Sequence, residues 1–201
     1  MNAENPTQHT WEIGLSSWII QDGNYPDFTV GQQAEFALEL CPQSVCLSDP
    51  KVKYAKSLGA AKYEINGEIV FLNPEVWVLD FGLCAFQQSA PPNGLRVGKF
   101  VTAEIYLGID PFFYFERLYM LSWMPPLVYS WIIDSISQQT APFIETGEPS
   151  GQRILVRDQR KLGYRTIKGT NAWNDDEGHG EYVLNCTRLD VPPKMESATE
   201  T

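Results

Sequence analysis

Histidine and cysteine are scarce in this sequence. Only two histidines occur among its 201 residues. One of them, His9, lies in a polar N-terminal stretch, so a catalytic site that needs an imidazole depends on His179. The four cysteines are too few for a disulfide framework in a chain of this length. Cys41 and Cys46 have a metal-like spacing, but the other two cysteines are isolated. We therefore expect buried free thiols, no metal ion and no cofactor.

Signals for secretion and for membrane insertion are also absent. The first ten residues contain neither the positively charged region nor the apolar stretch that directs secretion. The longest apolar run without a charge covers residues 118–133 and is interrupted by Pro125 and Pro126. This run is too short and too broken to cross a bilayer. These absences predict a cytoplasmic protein that does not enter a membrane.

Positive charge is limited and unevenly distributed. The chain has 15 Lys and Arg against 25 Asp and Glu, a formal net charge of −10. Such a chain is repelled by phosphate backbones, which excludes a general nucleic-acid binder, and is attracted to basic proteins. Residues 153–168 carry +5 and the rest of the chain carries −15. Arg153, Arg157 and Arg165 in this segment are candidate partner-binding residues, and a solvated hairpin is the alternative.

The sequence is rich in alternating apolar and polar residues. This period of two predicts an all-β protein of roughly ten antiparallel strands, arranged as two small barrel- or sandwich-like modules. We expect the modules at residues 11–73 and 74–190, with one continuous domain as the alternative, and flexible tails at 1–10 and 191–201. The predicted strands are 10–20, 31–40, 76–86, 97–109, 112–123, 127–137, 154–157, 164–168 and 181–189, with a hairpin over 63–71.

Two short segments have more specific patterns. Asn66-Gly67 lies between two β-type runs, and this pair favours a type I′ hairpin turn because both residues tolerate positive φ. Ser48-Asp49-Pro50 supplies a helix cap and a proline at the first helical position. The second pattern predicts one short helix over 50–58, with a strand as the alternative.

A faint internal repeat relates the two halves of the chain. Gly14–Trp18 aligns with Gly82–Phe86 at a shift of 68 residues, and Phe28–Gly31 aligns with Leu95–Gly98 at a shift of 67. We interpret these matches as a possible duplication of one β module, and chance similarity between turns is the alternative.

Aromatic residues are concentrated between residues 106 and 131. Both alternate positions of the segment 112–121 are apolar or aromatic, except at Glu116 and Arg117. This predicts a strand that is buried on two sides, inside the protein or in a homodimer, or that lines a binding surface. Trp123, Tyr129 and Trp131 lie at or near an expected hairpin tip and are candidate partner-binding anchors. The alternative is that they belong to the core.

Acidic residues crowd around the second histidine. Asp175, Asp176, Glu177 and Glu181 lie within seven residues of sequence that also contain His179. One interpretation is an acid/base cluster or a metal site, with Asp175, Glu177 and His179 as candidate ligands. The segment lacks the spacing of a calcium-binding loop and is rich in Asn, Asp and Gly. We therefore favour a solvated turn without a catalytic role.

These observations favour a binding protein. The leading hypothesis is a non-catalytic, acidic, intracellular protein-binding module, of the inhibitory, immunity or regulatory kind, that acts on a partner with a basic surface. The first alternative is a β-barrel that binds a small ligand between its aromatic strands. The second is an enzyme that uses His179 with Asp175, Asp176 or Glu177.

Overall fold

Short strands make up most of the structure. A computed structural model describes residues 10–147 and 153–195. These residues form thirteen strands and two short α-helices, which confirms the all-β class. The elements are β1 (Thr10–Ser16), α1 (Ser17–Gln21), β2 (Gln33–Phe36), β3 (Leu38–Ser48), β4 (Tyr54–Gly59), β5 (Lys62–Leu72), β6 (Trp77–Asp80), β7 (Cys84–Gln87), β8 (Phe100–Ile109), α2 (Phe113–Glu116), β9 (Tyr129–Gln139), β10 (Phe143–Gly147), β11 (Arg153–Arg157), β12 (Tyr164–Ile167) and β13 (Glu181–Arg188).

Five strands close into a barrel. β8 pairs with β3 on one side and with β5 on the other, and β6 and β7 connect β5 back to β3. All five ring strands come from residues 38–109, and β4 pairs with β5 beside the ring. The ring pairs are antiparallel except for β3 and β7, which are parallel. Because a closed ring has no edge, its backbone groups find partners within the barrel.

The other strands of the main sheet lie beside the barrel. β1 pairs with β13, β13 with β9, and β9 with both β2 and β12, all antiparallel. A single parallel pair, Gly14 with Gly108, joins β1 to β8. β10 and β11 form a separate two-stranded sheet. The predicted boundary at residues 73 and 74 falls between β5 and β6, which are paired in the ring. It therefore cuts through the barrel instead of separating two modules.

The barrel and the strands beside it share one hydrophobic core. This core includes residues from β1, β5, β8, β9 and β13. Trp11, Trp77 and Trp131 are among its largest fully buried side chains. The Trp131 ring stacks on Phe36 with ring centroids 5.4 Å apart and an interplanar angle of 12°. A smaller core cluster that includes Tyr114 packs under the segment between β8 and β9.

The predicted hairpin at Asn66-Gly67 is wrong. β5 continues through both residues. The turn that precedes β5 lies at Ala60 and Ala61, whose φ values of 52° and 61° are of the positive kind that a type I′ turn requires. Gly67 has a different role, because a Cβ atom there would lie 3.0 Å from the backbone oxygen of Asp80. The glycine allows the chain before β7 to pass close to β5.

The predicted helix over 50–58 is also wrong. Residues 54–59 form strand β4, which pairs with β5 in antiparallel register. The side-chain amide of Asn66 donates hydrogen bonds to the carbonyl oxygens of Pro50 at 2.9 Å and Val52 at 2.5 Å. Both carbonyl oxygens therefore accept hydrogen bonds from a residue more than ten positions away. The local capping pattern does not predict this contact.

The segment 112–123 is not the strand that its apolar pattern predicted. It contains α2 and a 3-10 turn at Leu118–Met120. The carboxylate of Asp110 accepts hydrogen bonds from the backbone N–H groups of Phe113 at 2.8 Å and Tyr114 at 3.0 Å. These contacts satisfy two N–H groups at the start of α2 that a helix cannot pair internally. A largely apolar run can thus be a buried helical turn as easily as a buried strand.

Asp110 gives the stability of the fold a specific pH dependence. Burial raises the pKa of its fully buried carboxyl group to about 7, with a further rise from Glu39, while the Tyr114 and Phe113 N–H groups lower it. Because the pKa is raised in the folded state, the folded protein binds this proton more strongly than the unfolded chain does. The resulting stability is present at about pH 4 and is lost as the pH rises towards about 7.

We therefore expect Asp110→Asn to flatten the pH dependence of unfolding. Urea titrations between about pH 4 and pH 8 should show the wild-type free energy of unfolding falling by about 2–4 kcal/mol relative to that of the variant. The comparison with the variant removes the contribution of the other carboxyl groups. Parallel curves for the two proteins would show that Asp110 does not titrate in this range.

Part of the C-terminal tail is attached to the fold. The backbone N–H of Lys194 donates to the carbonyl oxygen of Val128 at 2.8 Å, and its Nζ atom lies 2.6 Å from a carboxylate oxygen of Glu35. The flexibility of 191–201 stays a prediction, and Lys194 is a point at which this segment contacts the strands. Residues 1–9 and 196–201 lie outside the described residues.

The two copies of the suggested repeat occupy partly different settings. Gly14 lies inside β1, whereas Gly82 lies in the turn between β6 and β7 with φ of 100°. Gly31 and Gly98 are more alike, because both have positive φ, at 87° and 82°, and each precedes a strand. The duplication stays a prediction.

Candidate partner-binding surface

Arg157, one of the predicted binding residues, ties two loops together. Its guanidinium group donates to the backbone oxygens of Ala141 and His179 and lies 2.5 Å from the Asp176 carboxylate. The guanidinium carbon also lies 4.4 Å from the centre of the Phe143 ring. With its side chain only 9% exposed, Arg157 stabilises the fold and is not free for a partner.

The other two predicted arginines have different positions. Arg165 is exposed on β12, and its guanidinium group donates to the side-chain oxygen of Gln138 at 2.8 and 3.0 Å. The side chain of Arg153 lies outside the described residues. Exposed basic residues do remain at this end of the molecule, namely Arg160, Lys161, Arg165 and Lys168.

The acidic turn around His179 uses two of its carboxylates in structural contacts. Asp175 accepts hydrogen bonds from the Asn171 backbone and the Tyr182 hydroxyl, both at 2.9 Å. Asp176 pairs with an arginine, as described above, while Glu177 and His179 are exposed. Within the described residues, no group of three or more His, Cys, Asp or Glu side chains could hold a metal ion. The partners of the Asp175 and Asp176 carboxylates are therefore groups of the fold itself.

The cysteines are free thiols in mixed environments. Cys186 is buried and Cys84 is partly buried, but Cys41 and Cys46 are exposed on β3. The expectation of buried thiols is therefore wrong for the latter two, because they fall on the outward positions of a strand at the barrel surface. Burial raises the pKa of the Cys84 thiol to about 12, so this group stays protonated at neutral pH.

Of the three predicted aromatic anchors, only Trp123 is accessible. Tyr129 and Trp131 lie in β9, both are buried, and the Tyr129 hydroxyl accepts a hydrogen bond from the backbone N–H of Cys84 at 2.9 Å. Trp123, by contrast, is 94% exposed. The expected hairpin tip does not form, because the chain before Pro125 makes helical turns. Tyr129 and Trp131 are therefore core residues.

Trp123 lies beside an apolar groove. The groove has a volume of about 400 Å³ and is lined by Val70, Phe71, Leu72, Asn73, Val97, Leu121, Ser122 and Trp123. Val97 is 60% exposed, and Met120, three residues before Trp123, is 63% exposed. We call these three exposed side chains together with the groove the Trp123 surface. Large exposed apolar side chains at an apolar groove are typical of binding sites.

The backbone presents Trp123 in a defined conformation. Its φ is 70°, a left-handed value that costs free energy for a bulky residue and needs support from its surroundings. The fully buried Tyr114 supplies support: its hydroxyl donates to the Pro125 carbonyl at 2.9 Å and accepts from the Leu127 N–H at 3.2 Å. The chain that follows Trp123 is thus fixed to the core, and the indole is held outwards.

Val97 and Met120 were not recognised from the sequence. Both are apolar residues of ordinary type, and their exposure depends on the turns that carry them. No local sequence signal distinguishes them from core residues.

The protein is thus an all-β protein with a closed five-strand barrel that a second group of strands extends. Its exposed Trp123 lies beside an apolar groove. Comparisons with protein-family models, curated proteins and solved structures find no match to this chain. No helix among the described residues is long and apolar enough to span a bilayer.

Proposed function

We propose that the chain is a non-catalytic, acidic protein-binding module that acts in the cytoplasm on a partner with a basic surface, as an inhibitor, immunity-type or regulatory protein does. The observation that supports this most directly is Trp123, held almost fully in solvent beside an apolar groove. Tryptophan is among the residues that contribute most to binding free energy when a partner covers them.

Charge supports the choice of partner. The net charge of −10 steers a basic protein towards this molecule over distances longer than direct contacts. The rim of the Trp123 surface is mixed: Glu75 lies 3.9 Å from Arg117, and Arg96 and Lys99 are exposed near Val97. We therefore propose that the net negative charge of the protein attracts the basic partner, and that apolar contacts at the Trp123 surface provide the affinity.

The partner can be identified by photocrosslinking from the surface itself. A photoreactive amino acid placed at Met120, next to Trp123, should crosslink in cells to one protein of basic isoelectric point. The same group at Trp173, an exposed tryptophan in another loop that is 68% exposed, is the matched control and should not give this product. Crosslinking of the same protein from both positions, or of an acidic protein, would contradict the proposal.

Binding of the purified partner should depend on Trp123. Trp123→Ala is expected to weaken the Kd by about 30-fold or more, because a tryptophan anchor contributes about 2 kcal/mol or more. Most of the change should be faster dissociation. Raised salt should slow association of the wild type by screening the field of the protein. Trp173→Ala should bind as the wild type does, and equal binding by all three proteins would exclude the Trp123 surface.

A further inference from the structure

A second cavity lies where β1 meets the barrel. It has a volume of about 310 Å³ and is lined by residues of β1, α1, β3, β8 and β13. In the sheet register Glu39 lies opposite Gly108, Gly108 is paired with Gly14, and Ser16 lies opposite Glu181. Directly paired residues and alternate residues of a strand share one face of a sheet. All five therefore face the same side, and we call this space the seam cavity.

Two adjacent glycines, Gly14 and Gly108, line the seam cavity, and the Tyr106 side chain lies over Gly14 in the space that a Cβ atom there would need. Two aromatic residues, Tyr106 and the half-exposed Trp18, contribute to its lining. Pockets for small ligands have volumes from about 300 Å³ upwards. This cavity is therefore large enough for a small molecule or one side chain.

The charged side chains that line the seam cavity are both acidic. Glu39 and Glu181 both line it, and Glu181 accepts a hydrogen bond from the Ser16 hydroxyl. Burial raises the pKa of both glutamates, which means that each carboxylate is partly removed from water. Arg157, the cation that acts on Glu181 electrostatically, is already bonded to Asp176. Two partly buried carboxylates in one cavity are stabilised by a cation placed between them.

The lining also indicates which kind of cation fits. Within the part of the chain that the structure describes, no three metal-ligating side chains come together, and the cavity contributes two carboxylates. Aromatic faces attract alkylammonium and guanidinium groups, whose apolar parts also pack on the rings. Lys62 lies directly opposite Tyr106 in the pairing of β5 with β8, and it lines a smaller cavity of about 150 Å³ that shares Tyr106 and Glu181.

We propose that the seam cavity binds a small organic cation, an alkylammonium or guanidinium group, between the carboxylates of Glu39 and Glu181 and against the rings of Tyr106 and Trp18. The group can belong to a free amine or to a lysine or arginine side chain of a protein. In the second case the cavity is a further contact of the partner proposed above.

The cavity can be tested with n-butylammonium as the probe and uncharged 1-butanol as its control, with binding followed by NMR titration of the backbone amides. We expect shifts confined to β1, α1, β3, β8 and β13 with the cation and none with the alcohol. Glu39→Gln and Glu181→Gln should each weaken binding by about tenfold or more, since each removes a charge-assisted contact. Equal binding of the alcohol would overturn the proposal.

Glu104→Gln is the matched control. Glu104 is exposed on β8 and lies outside the cavity lining, so the variant loses the same charge from a strand that forms the cavity but keeps the cavity intact. It should bind n-butylammonium as the wild type does. If Glu104→Gln loses as much affinity as Glu39→Gln, the weaker binding reflects the lower net negative charge of the protein and no specific site exists. Thermal unfolding of each variant shows that it is folded during the titration.

A comparison of two probes distinguishes a free amine from a protein side chain as the source of the cation. Tighter binding of N-acetyl-lysine methylamide than of n-butylammonium supports a protein side chain, and the reverse order supports a free amine. Absence of binding by both probes overturns the proposal. Trp123→Ala should leave these titrations unchanged, so that a failure of the Trp123 surface and a failure of the seam cavity are seen separately.

Discussion

Trp131→Ala is expected to lower the free energy of unfolding by about 3–5 kcal/mol, the range for removing a large buried aromatic side chain. Trp131 is fully buried, stacks on Phe36 and contacts the Tyr129 ring with centroids 5.8 Å apart. Its indole N–H points at the Phe36 carbonyl oxygen at 3.4 Å. Alanine leaves a cavity in the main core at the paired strands β2 and β9. Urea unfolding measures the loss, or circular dichroism shows that the variant is unfolded.

Trp123→Ala is the control for this experiment. The side chain is almost completely exposed, so its removal should change the free energy of unfolding by less than about 0.5 kcal/mol. The two substitutions remove the same atoms eight positions apart and are expected to differ in stability by several kcal/mol. A large loss for Trp123→Ala would show that the indole packs on the protein and is not available to a partner.

Gly14→Ala is expected to destabilise the protein by about 1–3 kcal/mol through overpacking. A Cβ atom at Gly14 would lie 1.7 Å from the hydroxyl oxygen of Tyr106, so the tyrosine has to leave its place. Gly108, its partner in the strand pair, is the matched control, because a Cβ atom there meets Tyr106 only at 3.5 Å, an ordinary contact. Gly108→Ala should be neutral or stabilising by about 0.5–1 kcal/mol, since alanine orders a strand at lower entropic cost.

A double substitution identifies the cause. In a Tyr106→Ala background the obstructing ring is absent, so Gly14→Ala should lose its penalty and behave as Gly108→Ala does. The free energies of unfolding of the four proteins in this cycle give the coupling between the two sites. If Gly14→Ala costs the same with and without the Tyr106 ring, the close contact at the junction of β1 and β8 is not the reason for the glycine.

The sequence predicted those elements whose alternation continues over many residues. The expected strands 97–109 and 181–189 correspond closely to β8 and β13. It failed where distant contacts override a local pattern. Asn66 and Gly67 suit a turn by themselves, but a strand passes through them because the glycine permits a close approach and the amide binds a remote loop. Neither contact can be predicted from the propensities of the neighbouring residues.

The candidate sites could be predicted only in part from the sequence. Trp123 and Trp131 are the same residue type in one aromatic segment, and only the turns before Pro125 decide which of them faces solvent. The seam cavity had a weak signal, because a glycine inside a strand pattern often marks a close approach. Gly14 and Gly108 are such glycines, but their pairing connects distant parts of the chain and required the structure.

The order of the strands has a consequence for the protein while it is being synthesised. All ring strands lie within residues 38–109, so they are synthesised before β9, and domains generally fold as units in the order of their synthesis. β1 is made first, but its antiparallel neighbour is β13, with Thr10 opposite Thr187. The nascent chain therefore carries a complete barrel together with an apolar first strand that lacks this neighbour until translation has passed β13, a state that chaperones recognise.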